Sequence, residues 1–506
     1  MERVLSRRDE PFDLHQKKNG ASWTCEPNDD SRIKVIALMA VFLLASPCFA
    51  QSVPIPPAPI ASEPQRPASS LDRSEEDWRF LQDPSQRQDF WDPLKYRPLG
   101  RENWYMTVAG EIRPFFEIYR NHNWSAGPQD GDGYYLRRFM GSTDFHLGDR
   151  TRVFVELRSG DVFGRNGGPR PSQDKDTLDV SQAFAGVSVI PGGQTPKLEF
   201  KLGRQELNYG EGSLLAIREL NVRRTFDGVK AIVRPGDWRI DLLAFRPALN
   251  KPGAFDDGTD SSQALWGAWA TRPIEVRSFW RQADIYYLGL DRKQATFEQG
   301  TTRELRHTVG ALVHAKQRAF AMFTEADFQF GSFGAGTIVA WKYAQSLSWS
   351  FRDHPLRPVV TLLGAISSGD TSAASPALQT FNPLFPRGLY YGYIDSTGSP
   401  NAIVLHPQLG LTILPTVSIL AAHFSFWRTS AADGIYSQPG FFLRAGNETQ
   451  SRYVGSLQDL AIRWRIDPHT TVEALATYYE AGAFLRESSP PGKDLFYFSL
   501  KMNYRF

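Results

Sequence analysis

The sequence predicts an all-β protein: a transmembrane antiparallel up-and-down β-barrel of 18 strands with long extracellular loops and a plug loop. Three observations lead there. Apolar and polar residues alternate with period two over most of the chain after Trp104. Aromatic residues make up 13% of the chain, and Gly and Pro number 41 and 34, yet the mean hydropathy is only −0.37. The last alternating segment runs to a C-terminal aromatic residue, Phe506. Low hydropathy excludes a helical membrane protein. Lys and Arg (57) nearly balance Asp and Glu (55), a net charge of +2, which excludes the concentrated basic excess of a nucleic-acid binder.

Three regions follow in order. Residues 1–50 read as an N-terminal extension and a signal peptide. Arg32 and Lys34 precede an uncharged run of 11 residues, Val35–Ala45, and the small residues Cys48 and Ala50 mark a cleavage point. Such a run is too short to span a bilayer. Cleavage after Ala50 removes both cysteines, Cys25 and Cys48, so an exported chain without disulfides is expected. Residues 51–103 read as a Pro-rich periplasmic tether and lead-in segment. Pro54, Pro56, Pro57, Pro59, Pro64 and Pro67 favour extended polyproline conformation, and Ser74–Leu81 has room for a helical turn or two. Residues 104–506 are the barrel.

The clearest strand is the last, Leu495–Phe506. Phe496, Phe498, Leu500, Met502, Tyr504 and Phe506 share one face, and Tyr497, Ser499, Lys501, Asn503 and Arg505 share the other. An apolar face against a charged one suits lipid outside and water inside. The same alternation marks segments starting near residues 104, 134, 150, 177, 197, 226, 238, 264, 279, 304, 319, 334, 357, 401, 416, 455, 471 and 495, 18 in all. An even number closes the barrel and satisfies every backbone donor and acceptor in lipid. Barrels of about 16–18 strands leave an aqueous channel. A pore in the outer membrane of a Gram-negative bacterium, surrounded by outer-membrane lipids, is therefore expected.

Alternation also assigns the lumen. Inward-facing bases include Arg113, Arg138, Arg152, Arg158, Lys230, Arg239, Arg306, Lys342, Arg463, Arg465, Lys501 and Arg505. Inward acids include Glu111, Glu117, Asp144, Glu156, Asp241, Glu325, Asp327, Asp459 and Glu473. Arginine is ahead, and a ring of guanidinium groups would select anions. The alternative is that lumen charges pair across strands and select little. Loops 248–262 and 369–400 exceed plain turns. The apolar Phe381, Leu384, Phe385 and Tyr390 favour folding of the second into the lumen, making Phe381, Asn382, Pro383, Leu384, Phe385, Arg387, Tyr390 and Tyr391 the expected plug. Glu325 and Asp327 stand two residues apart on one face, a spacing that also suits a glycosidase acid–base pair. Paired lumen carboxylates are common without chemistry, and no nucleophile or metal-ligand spacing stands out. No enzyme activity, cofactor or metal is expected. The acidic turns at Asp130–Gly133 and Asp256–Asp260 suit Ca²⁺ and ordinary turn chemistry equally.

Two motifs and the lead-in segment carry a family resemblance. Gly203-Arg204-Gln205-Glu206-Leu207-Asn208-Tyr209-Gly210 is followed by Arg218-Glu219-Leu220-Asn221-Val222-Arg223-Arg224-Thr225-Phe226-Asp227-Gly228. Phe381-Asn382-Pro383-Leu384-Phe385-Pro386-Arg387 follows later, with Tyr390-Tyr391-Gly392. Glu76-Asp77-Trp78, Asp92-Pro93-Leu94-Lys95-Tyr96 and Gly110-Glu111-Ile112-Arg113 complete the set. Together they resemble the alginate export family of outer-membrane barrels. The resemblance implies a monomeric 18-stranded barrel that passes an anionic polysaccharide, an alginate-like polyuronate, through an arginine-rich constriction. It implies pore-lining roles for Arg113, Arg138, Arg152, Arg223, Arg224, Arg463 and Arg465. Arg158, Arg239, Glu111 and Asp459 join them from the alternation, the two acids competing for the arginines so that cargo does not stall. Periplasmic polymer-secretion proteins are the partners expected alongside. A diffusion porin for small acidic solutes and an outer-membrane barrel hydrolase are the alternatives.

Overall fold

The computed structural model describes residues 71–190, 197–274, 279–372, 374–388 and 390–506. The expected signal peptide and the Pro-rich stretch to residue 70 lie outside the described residues.

Eighteen long strands follow one another in chain order: β1 (Trp104–Arg120), β2 (Tyr134–Leu147), β3 (Thr151–Phe163), β4 (Asp176–Ile190), β5 (Leu198–Gln205) and β6 (Phe226–Val233). Next come β7 (Arg239–Leu249), β8 (Gln263–Pro273), β9 (Trp280–Phe297), β10 (Gly300–Gln317), β11 (Phe320–Phe333) and β12 (Gly336–Ser350). The last are β13 (Val359–Ser367), β14 (Ala402–Leu414), β15 (Val417–Arg428), β16 (Tyr453–Arg465), β17 (Thr470–Ala481) and β18 (Leu495–Arg505). Each pairs antiparallel with its sequence neighbour, and β1 pairs with β18 from Glu111–Arg505 to Arg120–Phe496, closing the barrel. Every expected strand is present, with starts within a few residues. The period-two pattern is strong because one face meets lipid and the other does not.

The outer face carries an exposed apolar belt that includes Ile112, Phe139, Leu202, Ile285, Phe328, Trp341, Leu460 and Trp464. Exposure on this scale in a water-soluble chain would mark an aggregation surface; around a closed barrel it is the lipid contact. At β1 the closure needs a glycine. A Cβ on Gly110 would sit 2.4 Å from the Phe506 ring, which stacks on Trp91 at 4.1 Å. The terminal aromatic is thus seated inside the seam between first and last strands.

Connections differ sharply between the two ends. At one end, the turn end, most are short, such as 148–150, 318–319 and 415–416. The other, the loop end, carries 206–225, 368–401 and 429–452. The main apolar core is inside the barrel at the loop end, where Leu207, Leu214 and Leu215 pack with Phe381, Leu384, Phe385, Trp269 and Phe426. Loop 250–262 lies along the wall: the Thr177 N–H donates to the Gly253 carbonyl (2.9 Å), and Gly258–Thr259 pairs with the end of β7. A second, smaller core of Trp78, Leu81, Tyr96 and Tyr105 caps the turn end. The lead-in segment before it forms short 3-10 turns, including Arg73–Glu75 and Arg79–Gln82.

Candidate functional site

The site is the lumen where two inward-folded loops meet the wall. Loop 206–225 leaves β5 and crosses the barrel because its apolar residues have no place in water and the inner wall offers partners. Gly210 and Gly212 take left-handed backbone (φ +55° and +79°) to turn it inward. Tyr209 donates its hydroxyl to Asp241 on β7 (2.9 Å), and the Ser213 hydroxyl donates to Glu325 on β11 (2.7 Å). Loop 368–401 lies against it: the Phe385 N–H donates to the Leu214 carbonyl (2.8 Å) and the Ala216 N–H to the Phe385 carbonyl (3.0 Å). Phe381, Asn382, Pro383, Leu384, Phe385 and Tyr391 are buried and Arg387 and Tyr390 half-buried, where this loop lies against loop 206–225. The Asn382 amide donates to Glu304 (2.8 Å) and accepts from the Leu384 N–H (2.8 Å), fixing its sharp bend.

The expected arginines face inward but form several separate networks rather than one ring. Under the plug, Arg113, Arg138 and Arg223 converge on a single carboxylate, Glu219, at 3.1, 2.5 and 2.7 Å. Arg138 Nε also donates to Glu111 (2.8 Å), which takes Arg505 as well (2.8 Å). Burial works against a charge on Glu219, but Arg138, Arg223 and Arg113 outweigh it and hold the carboxyl well below its usual range. Arg138 is 0% exposed and Arg113 3%, while the shared carboxylate Glu219 keeps 23% of its side-chain surface, so the cluster meets the lumen through Glu219. Along the wall, Arg152 pairs with Asp144 (2.6 Å), Arg239 with Asp241 (2.8 Å) and Arg463 with Glu473 (2.7 Å). Arg158 is locked between Asp176 (2.7 Å) and Asp257 (2.6 Å) of loop 250–262, and Asp459 accepts from the Thr477 hydroxyl. Arg152, Arg158 and Arg463 are thus neutralised across strands; Arg239 pairs within its own strand, and Asp459 takes a hydroxyl rather than an arginine.

Two arginines escape it. Nη2 of Arg465 is buried without a hydrogen-bond partner, and so is Nη1 of Arg224. Arg224 lies over the Phe385 ring at 5.2 Å, with Arg292 over the same ring at 5.3 Å. Arg218 stands 3.8 Å from Asp395. Burial, reinforced by Arg218 and Arg292, pushes the Arg224 guanidinium well below its ordinary range. A group strained in this sense is one that an incoming anion would relieve. Arg218, Glu219 and Arg292 are the members sequence reasoning passed over; the first two stood inside the quoted motif, while Arg292 had only its inward parity as a signal.

Glu325 and Asp327 are not arranged as an acid–base pair. Lys342 Nζ lies between them at 2.6 and 3.0 Å, and Tyr286 donates to Asp327 (2.6 Å). Asp179, Asp256 and Asp257 come together near the loop end, with their nearest ligand atoms within 4.8 Å of one another; Asp257 is already engaged by Arg158.

A closed 18-stranded barrel with an exposed apolar belt, a charged interior and loops folded into the lumen has a porin-like fold. Among solved structures, OccD3 (OpdP) of Pseudomonas aeruginosa superposes with a TM-score of 0.53 at 11% identity, covering 82% of this chain and 93% of that one. OccAB2 of Acinetobacter baumannii gives 0.55 at 10% identity, with 79% and 98% covered. OpdK of P. aeruginosa, crystallised with vanillate, gives 0.54 at 10% identity over the same shares. These likenesses are of fold. The chain belongs to the alginate export family, whose model matches residues 104–494. Among curated proteins none matches.

Proposed function

We propose that this protein exports an anionic exopolysaccharide, an alginate-like polyuronate, across the outer membrane of a Gram-negative bacterium, with the turn end facing the periplasm. The observation that carries the reading is the convergence of Arg113, Arg138 and Arg223 on the one carboxylate Glu219, next to the unpaired Arg224 on the plug. A uronate chain carries one carboxylate per sugar. Each would replace Glu219 at one arginine and then yield to it again, so that ion pairs exchange along the path without a trap. Family membership supports the cargo class.

Two measurements test it. In a planar bilayer, a polyuronate oligomer should block the channel where a neutral dextran of equal length does not. A strain lacking the gene should secrete less polymer into the medium; unchanged secretion would remove the export reading. One observation favours uptake of small acidic solutes as a second reading. The cavity of about 390 Å³ beside Trp269 and Lys230 suits a small molecule better than a polymer. Uptake of such solutes lost in the same strain, with polymer secretion intact, would decide for it.

A further inference from the structure

The lead-in segment does not stop at the barrel mouth. Leu71–Glu76 lies inside the lumen, below the Glu219 cluster. Arg223 Nη1 donates to the Leu71 carbonyl (2.8 Å), and Arg152 Nη2 donates to the Ser74 carbonyl (2.5 Å). Arg73 reaches the Gly110 carbonyl (3.1 Å) at the seam. Lys201 Nζ on β5 pairs with Glu75 at 3.0 Å. Two of the arginines expected to meet cargo are therefore engaged by the chain's own N-terminal segment.

Glu75 also borders the cavity of about 390 Å³, along with Asp72, Lys230 on β6 and Arg239 on β7. Its side chain is 44% exposed, and the cavity is what it is exposed to. The surrounding wall pushes its carboxyl up, but Lys201, Lys230 and Arg239 outweigh the wall and hold it below its usual range. The same three cations thus act on one carboxylate from three strands. That carboxylate is a stand-in ligand: it shows what the site accepts.

The segment is held in a way that permits departure. Its contacts with the lumen are ion pairs and single hydrogen bonds, and Leu71 is 38% exposed. Apolar anchoring starts only beyond it, at Trp78 and Leu81. Release of residues 71–76 would leave that anchor in place and free Lys201 beside Lys230 and the Asp241-paired Arg239.

We propose that Lys201, Lys230 and Arg239 form a carboxylate site for an acidic sugar chain, filled here by Glu75, and that Leu71–Glu76 is an internal ligand which such a chain displaces on entering the lumen. This rests on the export reading for the identity of the ligand, not for the plug itself.

The test uses the full barrel in planar bilayers with a polyuronate oligomer and a neutral dextran as probes. Deleting Leu71–Glu76 should raise conductance about twofold or more and, by removing an internal competitor, tighten polyuronate block roughly tenfold. E75Q, which keeps the size of the side chain and so spares the fold, should shift both in the same direction by less. Adding K201Q to the deletion should cancel the tightening and leave dextran unaffected. Unchanged conductance and block in both the deletion and E75Q, with polyuronate still blocking the parent protein, would overturn the internal ligand and leave the export reading standing. Raised conductance with no polyuronate preference in any variant would overturn the carboxylate site and the export reading together.

Discussion

The two halves of the lumen are closed by opposite means. At the loop end, Leu214, Leu215, Phe381 and Phe385 bury apolar surface against the wall, and the two loops exchange backbone hydrogen bonds. At the turn end, inside the apolar cap of Trp78, Leu81, Tyr96 and Tyr105, the acidic segment Leu71–Glu76 is held by Lys201, Arg152 and Arg223 and buries no apolar residue of its own. Burial of a Phe or Leu side chain is worth about 1.5–3 kcal/mol each and is nondirectional. Ion pairs in a wet cavity are worth about 1 kcal/mol or less and exchange with any competing charge. The loop plug is built to stay, and the segment to leave.

The strongest way to break that contrast is to weaken the permanent plug. Phe385 is 4% exposed and touches Phe226 edge-on at 5.2 Å. Phe385→Ala should cost about 3–5 kcal/mol of plug stability. Amide hydrogen exchange at Ala216 and Phe385 should speed up by orders of magnitude, while the wall amides stay protected. If the wall unfolds with the plug, the two are one cooperative unit and the contrast fails.

Next in size is the carboxylate under the plug. Glu219→Gln leaves Arg113, Arg138 and Arg223 facing one another without their shared partner. Unpairing buried charge costs about 3–5 kcal/mol, and the lumen would recover by admitting anions. The chloride-to-potassium permeability ratio should rise several-fold. An unchanged ratio would mean that the cluster is structural only.

The strands and the charge pairs differ in how far the sequence records them. All 18 strands were legible, because lipid on one side and water or plug on the other impose strict parity. So was the inward loop around Phe381–Tyr391, whose aromatics would be misplaced outside. What parity does not report is the partner of an inward charge. Arg158 and Arg138 read alike along the chain, yet one is clamped by Asp257 from loop 250–262 and the other by Glu219 from loop 206–225. Those loops are positioned by tertiary contacts, and no local pattern records them. The lumen position of Glu75 was hidden for the same reason: its partner Lys201 is 126 residues away.

Acidity offers a finer probe of the loop-end plug. Asp370 and Asp433 meet there: the Asp370 N–H donates to Asp433 (3.0 Å), and Asp370 accepts from the Gln379 N–H (2.5 Å). Burial, aided by Asp433, raises the Asp370 carboxyl to about 6. A raised carboxyl binds its proton more tightly folded than unfolded, so its stabilising contribution is greatest at low pH and is lost as pH rises from about 4 through about 6. Asp370→Asn should mimic the protonated form, slowing hydrogen exchange at Gln379 and Phe381 at pH 7.5 and changing little at pH 5. Equal effects at both pH values would assign the role to something other than the carboxyl.

The smallest effect is expected on the outer wall, where an ion pair faces outward instead of into the lumen. Arg137 on β2 and Asp161 on β3 are cross-strand neighbours at 2.8 Å, with side chains 45% and 20% exposed. They sit near the loop end of their strands, beside Tyr135 and Phe163, and Arg137 lies over the Phe163 ring at 5.1 Å. Among polar headgroups such a pair competes with water and lipid phosphate and is worth about 0–1 kcal/mol. Arg137→Ala should therefore leave conductance, ion preference and polyuronate block unchanged, and should shift thermal unfolding only slightly. A large loss of stability would place this pair in the hydrocarbon layer rather than at its edge, because an unpaired Asp161 is costly only where water is absent. Set beside Glu219→Gln, chemically similar pairs, one outside and one inside, should differ by several kcal/mol because one remains solvated after its partner is removed and the other does not.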